Sequence, residues 1–184
     1  MTDVERDLLH LLKQRSVRRG EFRLASGASS TFYIDGKMAA IHSRGAFLIG
    51  EVLWERTRHL PINAIGGLEL GAIPLTVAAV ISYHRHGQSL EGFWVRDQAK
   101  RHGTQKMIEG NLPPHAKVVL VDDVITTGGS VLRAAEEVRK EGAEIVGVVA
   151  LVDRQAGAAD RLREQGIFHY EPIFTLRDLG LSDG

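Results

Sequence analysis

The stretch VVLVDDVITTGGS, Val118 to Ser130, sets two adjacent carboxylates, Asp122 and Asp123, behind four aliphatic residues and follows them with Val124, Ile125, two threonines, two glycines and a serine. Each of these types has a chemistry. Thr126, Thr127, Gly128, Gly129 and Ser130 read as a loop entering a helix, where free backbone N–H groups and the positive end of the helix dipole seat a phosphate. The glycines let the anion approach the backbone, and the hydroxyls add donors. Two acids so near would repel a bare phosphate. A sugar phosphate resolves the conflict: its phosphate lies in the loop, the acids accept hydrogen bonds from ring hydroxyls, and a magnesium ion offsets charge nearby. Taken alone, Asp-Asp is more often a plain strand end, and Thr-Gly-Gly-Ser can merely cap a helix. The whole stretch favours the sugar-phosphate reading.

Such a site needs elements to hold it, and the hydrophobic pattern supplies them. Asp3 to Arg15 is expected to be an amphipathic helix with Leu8, Leu9, Leu11 and Leu12 on its apolar face. Glu21 to Asp35 has strand-type residues on either side of a Gly/Ser turn and predicts a hairpin. Helical spacing returns over Ser43 to Arg58. From Ile62 the order becomes strand, loop, helix: Ile62 to Ile65, a glycine-rich bend at Gly66 to Gly71, then a helix over Ala72 to His86 with Pro74 in its first turn. Leu70 to Tyr83 is expected to be buried; it is too short to span a bilayer, which takes about 20 residues. Leu90 to Val95 is a further strand. Val118 to Val121 and Ile145 to Val152 are continuous aliphatic runs, as in parallel strands covered on both faces, and they flank a helix from Val131 to about Glu141. The expected fold is a doubly wound, mostly parallel α/β sheet. In such sheets the ligand crevice lies beyond the carboxyl ends of the strands, where Asp122 and Asp123 are expected.

Bulk properties narrow the class. The chain has 184 residues, enough for one well-filled domain over 1–184. Lys plus Arg is 23 and Asp plus Glu is 23, so no net field steers it onto nucleic acid or an anionic membrane. Anion binding must be local. The absence of cysteine excludes disulfides, thiolate metal sites and a thiol nucleophile. It suits the cytoplasm, as do the charges of Asp3, Glu5, Arg6 and Asp7, where a signal peptide would need an apolar centre. None of the eight histidines has the spacing of a helical zinc site, so no dedicated metal site is expected.

Val119 to Ser130 resembles the phosphoribosyl-pyrophosphate (PRPP) signature of type I phosphoribosyltransferases. The resemblance extends through FRLASGASSTFYID (Phe22 to Asp35), GGLELGAIP (Gly66 to Pro74), VRDQAKRHGTQKMIEG (Val95 to Gly110) and VDRQAG (Val152 to Gly157), and points to the orotate phosphoribosyltransferase branch. It implies a sheet of the type I kind with an N-terminal hood, about 1–40, over the base site. It also implies transfer of ribose 5-phosphate from PRPP to orotate, giving orotidine 5′-monophosphate and pyrophosphate in pyrimidine synthesis, with Mg2+ carried by PRPP. Positive charge grows on the ribose ring and negative charge on pyrophosphate, so preorganised electrostatics at both ends is required and a protein nucleophile is not. Asp122 and Asp123 suit the ribose end.

The leaving-group end needs cations. The polar stretch Arg96 to Asn111 carries Arg96, Lys100, Arg101, His102 and Lys106; such a stretch is either a lid, here one that closes over pyrophosphate, or disordered surface, and any single basic residue in it can be a solvated surface charge. By resemblance Lys100 is the catalytic lysine and reaches into a neighbouring subunit, which implies a homodimer. By resemblance too, Arg96 and His102 bind PRPP, and Thr126 and Arg154 bind orotate. Arg154 would grip its carboxylate with two parallel charged hydrogen bonds; the alternative is an ion pair with Asp153 or Glu171. Phe32 and Tyr33 are candidates for lining the base pocket, though hairpin aromatics are more often core. Three positions lose a positive charge relative to the family pattern: Ala25, Asp97 with Gln98, and Leu70-Gly71. Arg23 or Arg101 are the candidates to compensate. Two rival functions are transfer to another base and a non-enzymatic PRPP sensor that binds nucleic acid. Zero net charge counts against the second.

Overall fold

The computed structural model describes residues 1–23, 29–98 and 106–182. Its first helix, α1 (Asp3–Arg15), starts at a capping box. The Thr2 hydroxyl accepts the Glu5 N–H at 3.2 Å, and the Glu5 carboxylate accepts the Thr2 N–H at 2.7 Å, so two donors left open by a helix start are satisfied reciprocally. Its leucines are buried as expected. Two strands follow, β1 (Val17–Arg23) and β2 (Ser29–Ile34), antiparallel to each other in a separate two-stranded sheet. The short α2 (Lys37–Ala40) and the longer α3 (Ser43–Thr57) lead to the main sheet.

That sheet is built from β3 (Ala64–Gly66), β4 (Glu91–Val95), β5 (Ile108–Gly110), β6 (Lys117–Ile125), β7 (Glu144–Asp153) and β8 (Tyr170–Thr175), in the order β5-β4-β3-β6-β7-β8. All neighbours are parallel except β5 against β4. The helices α4 (Ala72–Arg85), α5 (Gly129–Lys140), α6 (Ala158–Glu164) and α7 (Leu176–Leu179) complete the chain. Alternate residues of β6 serve opposite faces, because strand side chains alternate. Val119 and Val121 join the leucines of α1 and α3 and Leu75 of α4, whereas Val118 and Leu120 join Val131 and Val138 of α5 and Leu162 of α6. Both faces are covered, which is why these strands read as unbroken aliphatic runs. The chain winds from β3 through α4 to β4 on one side, and β6 lies on the other. The winding therefore reverses between β3 and β6, and in such sheets ligands bind at the carboxyl ends of the strands near this reversal.

Three expectations change, and the chain adds elements for which none was stated. β6 does not stop at Val121: its ladder to β7 continues through Asp122↔Ala150, Val124↔Val152 and Ile125↔Asp153, so the paired acids sit inside the strand. The polar segment expected as a loop over Arg96 to Asn111 ends earlier, because Ile108 pairs with Val95 and Glu109 with Trp94 to form β5. The stretch expected to be buried, Leu70 to Tyr83, exposes Leu70, Val77 and Ile81 while Leu75, Ala78 and Ala79 face the core. Finally, α6 and β8 follow the last aliphatic run. α6 has seven residues, and β8 carries Pro172, which an edge strand tolerates because one side needs no ladder donor.

Candidate active site

At the carboxyl ends of β6 and β7 lies a cleft of about 400 Å³, walled by Tyr33 and Ile34 of β2, Asp122, Val124 and Ile125 of β6, the loop from Thr126 to Ser130, and Arg154. The loop is shaped by Gly128, which caps α5 at φ 79°, a left-handed conformation that other residues rarely adopt. A Cβ placed on Gly129 would meet nothing closer than 3.9 Å, so this glycine leaves open space beside the backbone. The early N–H groups of a helix have no intrahelical acceptors, and at α5 this end borders the cleft. An anion of phosphate size fits that arrangement. Arg161 of α6 reaches the loop from outside, donating to the Thr127 hydroxyl at 3.4 Å.

Asp122 and Asp123 are both buried, but they are held differently. Asp122 lines the cleft and accepts the Asp123 backbone N–H at 2.9 Å. Burial, reinforced by the neighbouring charge of Asp123, pushes the Asp122 carboxyl up to about 8. Asp123 is not part of the cleft wall; its carboxylate lies 3.4 Å from the Lys37 ammonium. Two glycines press on the pair. A Cβ on Gly71 would fall 2.3 Å from Asp123 Oδ1 and 2.8 Å from Asp122 Oδ1, and one on Gly36 would fall 2.8 Å from Asp123 Cβ. Gly71 is therefore more than a lost lysine: a side chain there would displace both acids.

Arg154 follows β7 and is tied to the end of β6, its N–H donating to the Ile125 carbonyl at 2.9 Å. Its guanidinium stands over the ring of Phe32, 5.1 Å from the centroid. Phe32 itself is 3% exposed and belongs to the core, so it does not line the cleft; it acts from beneath, as a platform under Arg154. Tyr33, the next residue of β2, points the other way and does line it. Glu171 is engaged by Arg56, which also meets Glu5. Asp153 accepts the Gln155 N–H at 2.7 Å.

The expected lid residues are only partly brought here. Lys100 and His102 lie outside the described residues, as does Ala25. Arg96 stands at the foot of the loop, 3.6 Å from Glu109, and donates to the Gln98 carbonyl at 3.3 Å. Asp97 pairs with Arg133 of α5, and its N–H donates to Glu69 at 3.1 Å. Lys37 is absent from the residues that sequence reasoning singles out: a lone lysine after a strand carries no spacing signal, and only the fold brings it to Asp123. Among the described residues no group of three or more His, Asp or Glu is placed to hold a metal ion. Two carboxylates beside a phosphate loop nevertheless fit magnesium, which binds through one or two carboxylates together with substrate phosphates.

A mostly parallel, doubly wound sheet with a glycine loop and paired acids at one strand end defines a phosphoribosyltransferase of the type I kind. The Phosphoribosyl transferase domain family matches residues 58–165. Orotate phosphoribosyltransferase of Corynebacterium glutamicum strain R is 40% identical over 176 residues, 96% of this chain and 94% of that one. The structure of the Mycobacterium tuberculosis H37Rv orotate phosphoribosyltransferase in complex with Fe(III) dicitrate superposes with a TM-score of 0.86 at 38% identity, covering 97% of this chain and 99% of that one. The same mycobacterial enzyme in complex with PRPP gives a TM-score of 0.82 at 35% identity, with 97% and 99% covered. The chain belongs to the orotate phosphoribosyltransferase family.

Proposed function

We propose that the protein transfers ribose 5-phosphate from PRPP to orotate, giving orotidine 5′-monophosphate and pyrophosphate in pyrimidine synthesis. The observation that carries this is the meeting, in one cleft, of the phosphate loop, Asp122 and Arg154. The loop backbone and the hydroxyls of Thr126, Thr127 and Ser130 hold the 5′-phosphate. Asp122, beside the loop, meets the ribose hydroxyls and stabilises the positive charge that grows on the ring as the bond from C1 to pyrophosphate lengthens. Burial and Asp123 raise its pKa, and the growing ring charge and magnesium carried by PRPP favour the ionised carboxylate that this role requires. Arg154 grips the orotate carboxylate, with Tyr33 along the base. Magnesium, carried by PRPP with Asp122 and Asp123 nearby, offsets pyrophosphate charge when bound. Lys100, with Arg96 and His102, serves the leaving group.

The same proposal takes residues 1–184 as one domain, with the hood over the base at about 1–40, and takes the working unit as a homodimer in which each lid serves its neighbour. Exposed apolar side chains support the pairing: Val77 and Ile81 lie along one side of α4, Leu70 is exposed just before it, and Phe47 of α3 packs under Arg85, one turn beyond Ile81. Among the described residues no helix is long and apolar enough to cross a membrane, which accords with work in the cytoplasm. The test is to incubate the protein with magnesium, PRPP and a panel of bases. Orotidine 5′-monophosphate should form from orotate, and uracil, cytosine, adenine, guanine and hypoxanthine should give no comparable nucleotide. Equal turnover of another base would reject the orotate assignment.

A further inference from the structure

Lys37 is the first residue of α2 and sits between two carboxylates on different elements, 2.8 Å from Asp35 at the end of the hairpin and 3.4 Å from Asp123 in β6. Its N–H is also engaged, donating to Asp35 at 3.2 Å. The hairpin end is pressed onto the strand at this point, since a Cβ on Gly36 would run into Asp123. The Asp35 N–H donates to the Ser16 carbonyl at 2.9 Å, so the aspartate that anchors the lysine is itself anchored to the end of α1. Burial opposes the charge of Lys37, but the bond to Asp35 and the two carboxylate charges outweigh it and raise its pKa.

We propose that Lys37 is a positioning residue for the reaction: it fixes the Asp123 carboxylate from the hairpin side, and thereby sets the end of β6 so that Asp122 faces the ribose. The two acids then divide the work. Asp122 touches the sugar, and Asp123 transmits the placement of the hairpin to it through the shared backbone and the bond from the Asp123 N–H to Asp122. A loose Lys37 would leave the phosphate loop and Arg154 in place, so PRPP would still bind. What suffers is the alignment of the carboxyl with charge that appears only as the bond at C1 breaks.

This role rests on the proposed orotate transfer, and its test separates the two. Steady-state kinetics are measured for the wild type, Lys37→Met, Lys37→Arg, Asp123→Asn and the Lys37→Met/Asp123→Asn double variant, with PRPP affinity followed by calorimetry in the absence of base. Lys37→Met should lower kcat by about tenfold or more while KM for PRPP changes much less, the pattern of an interaction realised in the transition state. Lys37→Arg should restore most of the loss. The double variant should be no slower than Asp123→Asn, because both changes cut one chain of contacts. Wild-type kcat in Lys37→Met overturns the role. So do losses that multiply in the double variant, which would mean that Lys37 touches the substrate itself. If Lys37→Met does not fold, Asp35→Asn, which loosens the lysine without removing its charge, takes its place in the cycle, and either wild-type kcat or multiplying losses there overturns the role in the same way. A wild type that does not use orotate overturns the proposed reaction instead.

Discussion

At the scale of single residues, the site depends on which charges are buried and what they face. Arg154 is legible from its place after an aliphatic run; its platform is not, because nothing in the spacing of Phe32 says that the ring lies under a guanidinium. Arg154→Ala should reduce selectivity for orotate over uracil by ~10 to 100-fold, the equivalent of about 1.5–3 kcal/mol for a charged hydrogen bond. PRPP affinity, measured by calorimetry, should stay close to wild type. Phe32→Leu should give a smaller loss in the same direction. Asp122 makes a pH prediction. Its carboxyl ionises at about 8 in the folded chain, well above the value of about 4 for an unfolded aspartate. The folded state therefore keeps a proton that the unfolded state gives up, and stability falls as pH rises between those two values. Asp122→Asn cannot ionise, so it should exceed the wild type in Tm at pH 8 and lose most of that margin at pH 4. An equal margin at both pH values would contradict the buried, protonated acid.

At the scale of elements, the central strands and their helices can be read in advance because residues covered on both faces leave unbroken aliphatic runs and the intervening helices have a clear apolar side. The sheet edges cannot. β5 has three residues in a polar segment, and β8 contains a proline; each is specified by the neighbour it pairs with rather than by its own pattern. The loop between β6 and α5 depends on backbone shape. Gly128→Val must force φ 79° on a β-branched residue, so it should weaken PRPP binding and lower Tm together. Asp97 has a sequence reading and a structural one that oppose each other. As a lost lysine it should cost pyrophosphate binding, but its carboxylate pairs with Arg133 on the helix that leaves the phosphate loop. Asp97→Lys would set two cations against each other there, so the expected outcome is no gain in pyrophosphate affinity, read by product inhibition. Tighter inhibition would show that the Arg133 contact is dispensable.

At the scale of the whole molecule, the shared-lid reading predicts complementation. Lys100→Ala and Asp122→Asn should each be nearly inactive, yet mixed homodimers that exchange subunits rebuild one intact site per heterodimer, giving up to about a quarter of wild-type activity at random pairing. Exchange without recovery would place Lys100 in its own subunit's site. The pairing of Val95 with Ile108 bears on the same question through tether length. Val95 and Ile108 lie side by side in one sheet, so the two ends of the segment proposed as a lid start from neighbouring strands. Lys100 is five residues along the chain from Val95, and a fully drawn chain covers at most about 3.3–3.6 Å per residue. Chain length alone therefore limits its Cα to within about 18 Å of Val95. Any active site that it serves, in either subunit, must fall inside that radius plus the length of a lysine side chain, which makes the end of β4 a fixed compass point for placing the second protomer.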